Sequence, residues 1–402
     1  MTERWLIAIG AGRWQLSGIR AAQNDGIRVF AIDGDKNAPG LRFADHSAVT
    51  DIRDTEAVVR TVRDSGKKPS GAISFVSDVG MMAAAALREE FGLPGPRRKL
   101  VERLTNKCHQ RRAWTDAGLP CPEWFCASSE AQAERKIGNL GDKFILKPAD
   151  SAGSRGVAVI GAGEDWRPAF AAALKQSRCG QVIVETFIEG VEYTVETFSH
   201  RGKTAVLATS EKRKVPGSRG TVAVELATPA QPAGVTRDIG SLATRAIGSL
   251  GYSDGPGHTE ILRSEDGMLW LVEAAGRGGG FMVADGLVPR ASGFDLNLAC
   301  ARQALNLEPA LFPDRPPGAF VLRFLPAKPG IVTGLSGFDR ARDLVNVECE
   351  ALVNVGDRVE RAVTDAARLA YILSWADDRT TALLQADRAE SCIRVDVADD
   401  LQ

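Results

Sequence analysis

Histidine is scarce in this chain, and its cysteines are poorly placed for metal or disulfide chemistry. The four histidines, His46, His109, His200 and His258, show no HExxH or other paired spacing, which excludes the common helical zinc motifs. The seven cysteines (Cys108, Cys121, Cys126, Cys179, Cys300, Cys349, Cys392) are scattered, with no CxxC pair. Free thiols in a reducing compartment are therefore expected. No apolar run approaches the length of a membrane-spanning helix. The N-terminus, MTERWLIAIGAG, enters a buried-strand pattern without the features of a signal peptide. A cytoplasmic location is expected on these grounds. Charge is balanced, with 50 Lys+Arg against 51 Asp+Glu, so no basic surface argues for nucleic acid. There is no internal repeat and no low-complexity segment.

What is present suits a soluble globular protein. The 402 residues are 44% hydrophobic and 25% charged, enough chain for two to four cores. Residues 1–100 alternate between types. Strands are expected at Trp5–Ile9, Arg28–Ile32, Ala48–Thr50 and Gly71–Val76, and helices at Trp14–Asp25, about Thr55–Ser65 and Met81–Phe91. That βαβαβ order predicts a parallel, doubly wound sheet. Gly10-Ala11-Gly12 is followed next by Gly18, which is not a clean GxGxxG. One reading makes it a dinucleotide loop with Asp33 on the ribose. The preferred one is close packing of the first helix on its strand.

Breaker clusters at Leu93-Pro94-Gly95-Pro96 and Arg315-Pro316-Pro317-Gly318 divide the chain. A helix is expected over 101–120, containing Asn106-Lys107. From about 122 to 195 the order is strand, helix, strand, Gly-rich loop, strand, helix, strand. Further helices are expected at Thr236–Leu250, Asp295–Leu305, Phe338–Arg342 and Thr380–Ala389, the last two within a β-rich C-terminal stretch.

Chemistry concentrates in the segment Gly257–Gly280. Two strand-like runs, TEILR and LWLVE, flank Glu265-Asp266-Gly267-Met268, and an Asp-Gly turn between apolar runs predicts a hairpin. Such a hairpin presents Glu260 and Glu273 to one spot. Two carboxylates there need a cation, and hard oxygen ligands suit Mg²⁺ beside phosphate. Arg277 and flexible glycines follow, so the segment is equipped for phosphoryl transfer. Upstream, Phe144–Pro148 is a buried strand ending in Lys147-Pro148, followed by the loop Ser151–Gly156. Its backbone N–H groups can wrap phosphates, although a capped strand and an ordinary hairpin also explain it. Val182–Glu192 is an apolar strand running into a hinge whose main-chain groups can read adenine, although a strand, a turn at Gly190 and solvated acids also explain it.

These ordered segments resemble the ATP-grasp superfamily over most of the chain. The resemblance implies an α/β and α+β multidomain protein with the ATP-grasp fold. A Rossmann-like preATP-grasp domain would occupy 1–100. The ATP-grasp domain would occupy 101–315, with a lid at about 122–195, and a small β-rich C-terminal domain 316–402. It implies that Lys107 and Lys147 contact nucleotide phosphates, beneath a mobile loop containing Ser151, Gly153, Ser154 and Gly156. Adenine would lie in the hinge Glu185-Thr186-Phe187-Ile188, against Thr186 C=O and Ile188 N–H, with Glu192 on the ribose. Glu260 and Glu273 would hold Mg²⁺, or Mn²⁺ in its place, and Arg277 would stabilise the transferring phosphoryl group. Many members carry Asn where this chain has Ala275, which puts a second metal ion in doubt.

Within the superfamily, His258-Thr259-Glu260, Glu273, Arg277, Gly278–Gly280 and a C-terminal domain most resemble the L-amino-acid ligase and carbamoyl-phosphate-synthase-like branch. His258 would touch the carboxylate or the γ-phosphate, unless it is a structural histidine at a strand start. Glu211-Lys212, before a loop ending at Pro229, fits a substrate-side element, though Lys212 alone reads as a polar loop residue. Phe281 to Asp285 and Arg290 either line the substrate pocket or form an apolar turn before a helix. The implied reaction joins a small carboxylate to an amine through an acyl phosphate, with ADP released. The alternatives are a purine-type carboxylase or formyl-phosphate user, a nicotinamide-dependent oxidoreductase, and a non-catalytic nucleotide sensor. Family analogy adds a homodimer, with no nucleic-acid or membrane partner.

Overall fold

A computed structural model describes residues 4–214, 223–309, 318–360 and 368–399. The expected boundary at Arg315-Pro316-Pro317 lies outside these residues, as do residues 215–222 of the loop expected before Pro229, while Ala223–Thr228 of that expected loop is a strand.

The N-terminal unit is a parallel sheet of β1 (Trp5–Ile9), β2 (Arg28–Asp33), β3 (His46–Val49) and β4 (Pro69–Ile73), in the order β3-β2-β1-β4. All five residues of β1 are buried, as expected where helices cover both faces of a parallel sheet. Those helices are α1 (Leu16–Asn24), the short α2 (Pro39–Phe43), α3 (Thr55–Asp64) and α4 (Asp78–Glu90). The helix read from Met81 begins three residues earlier, at Asp78, within the boundary uncertainty of such readings. The glycine loop after β1 serves packing. A Cβ at Gly10 would lie 2.0 Å from Gln15 Nε2, and one at Gly18 would press 2.6 Å into the Phe75 ring. Asp33 is engaged by its own loop, accepting from Ala11 N (2.6 Å) and Asp35 N (2.9 Å).

The helix expected over 101–120 is two helices, α5 (Arg98–Thr105) and α6 (Lys107–Asp116). Asn106 is the break. Its backbone is extended, and its side chain accepts from Cys108 N and His109 N to cap α6. Asparagine competes in this way with helical hydrogen bonding. The break sets the direction of Lys107, the first residue of α6.

The next sheet is antiparallel: β5 (Trp124–Ala127), β6 (Phe144–Pro148), β7 (Ala158–Ile160) and β8 (Val182–Thr186), ordered β5-β8-β6-β7, with α7 (Glu130–Ile137) and α8 (Arg167–Gln176) on one side. Cys108 of α6 and Cys126 of β5 are disulfide-bonded, Cα–Cα 6.3 Å. This corrects the expectation of seven free thiols. The two stand 18 residues apart, and only the docking of α6 on this sheet, around Ala149 and Ile183, brings them together.

The largest sheet is antiparallel and contains β9 (Gly190–His200), β10 (Lys203–Lys214), β11 (Ala223–Thr228), β12 (Gly255–Ser264), β13 (Leu269–Ala275) and β14 (Ala319–Pro326). Beyond β14, the strands β15 (Gly330–Ser336), β16 (Val347–Ala351), β17 (Arg358–Val359), β18 (Arg368–Ala376) and β19 (Arg394–Ala398) follow. The order β13-β12-β9-β10-β11-β14-β18-β16 carries C-terminal strands directly onto the central ones, while β17-β15-β19 form a separate sheet. α9 (Ala233–Ser249) packs on one face of the large sheet. Tyr193, Val195, Ile261, Leu271 and Ala274 meet Ile239, Ala243 and Ile247 of that helix in a dry core. With a period of two, the alternate residues on the same strands face the opposite way. That opposite face is the site.

Replacing Asn106 with alanine should lower the unfolding free energy by about 1 kcal/mol, the usual cost of losing such a cap. A shift of the urea midpoint at constant slope would show it.

Candidate active site

Strand register writes the site as a grid. Glu260 pairs directly with Glu273 across β12 and β13, and His258 pairs with Ala275. On the other side of β12, His258 faces Glu196, Glu260 faces Thr194 and Leu262 faces Glu192. Glu192 in turn faces Lys212 of β10. The Asp-Gly turn fixes this register: Asp266 Oδ1 accepts from Met268 N (3.1 Å), and Gly267 takes φ 87°.

The acids on this face are buried or half-buried, and each is met by a cation. Lys212 Nζ lies 2.6 Å from Glu260 Oε1 and also contacts Glu192, which Lys214 reaches at 2.5 Å. Burial alone would raise the Glu260 carboxyl. Lys212 and His258 outweigh it and hold that group well below the usual carboxylate range. Lys107 Nζ lies 3.0 Å from Glu273 Oε1 and donates to Ser151 O at 2.7 Å. Glu185, fully buried, is held between Lys147 (2.7 Å) and Arg111 (2.5 Å). His258 Nδ1 contacts Glu196. Burial opposes the charge on this ring, but Glu196 raises its pKa to about 9, so it is a cation at neutral pH. Arg277 pairs with Asp78 at 2.7 Å, tying the N-terminal unit to the grid.

All of these groups except Glu196 line one cavity of about 990 Å³, together with Thr186–Gly190 and Ser151–Arg155. That volume is ample for a nucleotide beside a small substrate. The loop after β6 turns through left-handed residues Gly153, Ser154 and Gly156. A Cβ at Gly156 would stand 2.9 Å from the Pro148 ring.

Comparison with known proteins adds the following similarities. Residues 140–285 match the ATP-grasp domain, and residues 323–398 match the L-amino acid ligase C-terminal domain 2. Residues 140–285 thus carry an ATP-grasp domain, and the proteins to which the chain is similar are ATP-dependent ligases. It is 25% identical over 371 residues to an L-arginine-specific L-amino acid ligase of Bacillus subtilis, covering 87% of each chain. It is 28% identical over 318 residues to a formate-dependent phosphoribosylglycinamide formyltransferase of Burkholderia pseudomallei, covering 76% of each. The crystal structure of an L-amino acid ligase from Bacillus licheniformis superposes with a TM-score of 0.85 over 99% of both chains at 20% identity, a likeness of fold.

Of the residues expected at the site from sequence, all but Gly156, Arg290 and part of the run Phe281 to Asp285 line the cavity. Gly156 sits behind the loop against Pro148. Arg290 is turned away, stacked 5.3 Å over Trp375 and paired with Glu348. Of the run Phe281 to Asp285, Phe281 and Val283 line the cavity, while Asp285 accepts from Ser17 Oγ at 3.0 Å. Lys212 is not a loop residue: it sits on β10 and bridges two acids.

The sequence reading missed Asp78, Arg111 and Glu196. Arg111 follows Lys107 by four residues, one helical turn along the same face. Glu196 continues the alternation Glu192, Thr194, Glu196 along a buried strand, where acids would not otherwise be placed. As donors for a hard cation, Glu260 and Glu273 fit, being in-register carboxylates on the cavity wall, whereas Ala275 supplies no donor.

Glu185→Gln leaves Arg111 buried without its counter-ion and should cost about 3–5 kcal/mol of stability. The net effect of burial, Arg111 and Lys147 is to lower the Glu185 pKa. Its stabilisation is therefore complete above the ordinary carboxylate pKa of about 4 and lost as pH falls through the lower folded value. Acid denaturation curves should flatten in the variant below about pH 4.

Proposed function

We propose that this protein is an ADP-forming ligase that joins a small carboxylic acid, of the amino-acid class, to an amine through an acyl phosphate. The observation that carries the reading is the charged face of the large sheet, where Lys107, His258, Glu260 and Glu273 meet beside Lys147 and Arg277 in one cavity. The C-terminal match favours amino acids over purine precursors.

In this reading Lys107 and Lys147 take the phosphates of ATP, and the hinge Thr186–Ile188 takes adenine, with Glu192 toward the ribose. Glu260 and Glu273 would hold Mg²⁺, which would supply charge neutralisation at the phosphates. Arg277 and protonated His258 are fixed cations at the end where the carboxylate must meet the γ-phosphate. Such preorganised charge favours the transferring group without reorganisation at the moment of reaction. The carboxylate oxygen attacks phosphorus and ADP leaves. The amine then attacks the acyl carbon and expels phosphate. The sheet carrying β5–β8 and the loop Ser151–Gly156 cover the site and keep water from the acyl phosphate.

Glu273→Gln should abolish ADP formation while the protein stays folded and binds ATP, measured by coupled assay and circular dichroism. An undiminished rate would remove Glu273 from the metal site. Lys147→Ala should raise the KM for ATP at least about tenfold, as loss of a charged phosphate contact implies.

A further inference from the structure

The cavity does not end at the charged face. Past Arg277 its wall becomes apolar, formed by Val76, Leu226, Phe281, Val283 and Phe324. Leu226, Val283 and Phe324 are buried. Leu226 of β11 pairs directly with Lys212 of β10, so this wall adjoins the acids of the grid. The rings of Phe281 and Phe324 lie 6.3 Å apart, edge to face. The Arg368 guanidinium lies over both, 4.5 and 3.7 Å from their centres.

Backbone strain marks the same place. Phe281 and Met282 both adopt left-handed conformations, φ 50° and 67°, a region that disfavours bulky side chains. Three glycines that could have taken such angles stand just before them, and a π-helical turn, Val283–Leu287, follows. Strained residues and π-turns concentrate at ligand sites, where the surroundings hold them in place. Here the strain sets the Phe281 ring against Phe324, and also against Trp14 at 5.4 Å.

We propose that this end of the cavity receives the side chain of the carboxylate substrate, that this side chain is apolar, and that Phe281 determines the specificity. The proposal rests on the ligase reading above. Among the described residues, the acid on this stretch of wall is Asp78, and Arg277 already holds it. Among the described residues, the other charged group on this stretch is Arg368, a cation that donates to Ala223 O at 3.0 Å and stacks on both rings. A cationic substrate side chain would lose its water without gaining a counter-charge. The arginine specificity in the name of the B. subtilis relative therefore does not transfer to this chain.

The test uses the full chain with Mg-ATP and hydroxylamine as the common nucleophile, so that only the carboxylate varies. Hydroxamate and ADP are the readouts. Leucine, methionine and phenylalanine should exceed arginine, lysine and glutamate in kcat/KM by at least about tenfold, the discrimination a shaped apolar pocket gives. Phe281→Leu and Phe324→Leu, each checked for an unchanged melting temperature, should raise the KM for the favoured acid several-fold and leave the KM for ATP within about twofold. Preference for arginine, lysine or glutamate, with hydroxamate still formed, would overturn this proposal and leave the ligase reading standing. Hydroxamate and ADP from no acid at all would overturn both.

Discussion

Everything at this site depends on burying like charges next to one another on one face of a β-sheet. Glu192, Glu196, Glu260 and Glu273 stand on adjacent strands in fixed register, and no isolated carboxylate would stay ionised at that depth. The fold answers with Lys107, Lys212, Lys214 and His258, each on a different carboxylate or shared between two. The opposite face of the same strands is dry and apolar against α9. One sheet therefore separates core from chemistry through the two-residue period alone.

Such pairing is a poor way to gain stability, because desolvation offsets much of the attraction. It is a good way to hold charge ready. In the proposed reading, a bound polyphosphate would compete with the acids for Lys107 and Lys147, and a divalent cation would compete with the lysines for Glu260 and Glu273. Ligand and metal would then exchange partners with groups already desolvated and in place, which is where fixed charges act most strongly. The N-terminal unit is part of the arrangement, since Asp78 at the start of α4 holds Arg277.

Much of this was legible in the sequence where the signal is local. The Asp266-Gly267 turn and its flanking apolar runs predicted the hairpin that aligns Glu260 with Glu273, and the βαβαβ order predicted the parallel sheet. What stayed hidden depends on contacts distant in sequence. Lys212 reads as an ordinary polar residue until β10 lays it between Glu192 and Glu260. Arg111 becomes a site residue only when α6 docks on β8, and the same docking joins Cys108 to Cys126. The expected helix over 101–120 failed for a local reason, a capping asparagine that ends one helix and starts another. For Arg290 the sequence leaves pocket lining and an apolar turn before a helix both open, and α10 (Val288–Ser292) directs it to Glu348.

The central claim is that this charged face is built to take nucleotide and divalent cation together. Titration calorimetry of the full protein with ATP alone, Mg²⁺ alone and both tests it most directly. Strong coupling is expected: binding at least about tenfold tighter for the pair than for ATP alone, equivalent to a coupling free energy of about 1.4 kcal/mol, and lost in the Glu260→Gln, Glu273→Gln double variant. Equal ATP affinity with and without Mg²⁺, or coupling that survives the loss of both carboxylates, would contradict it.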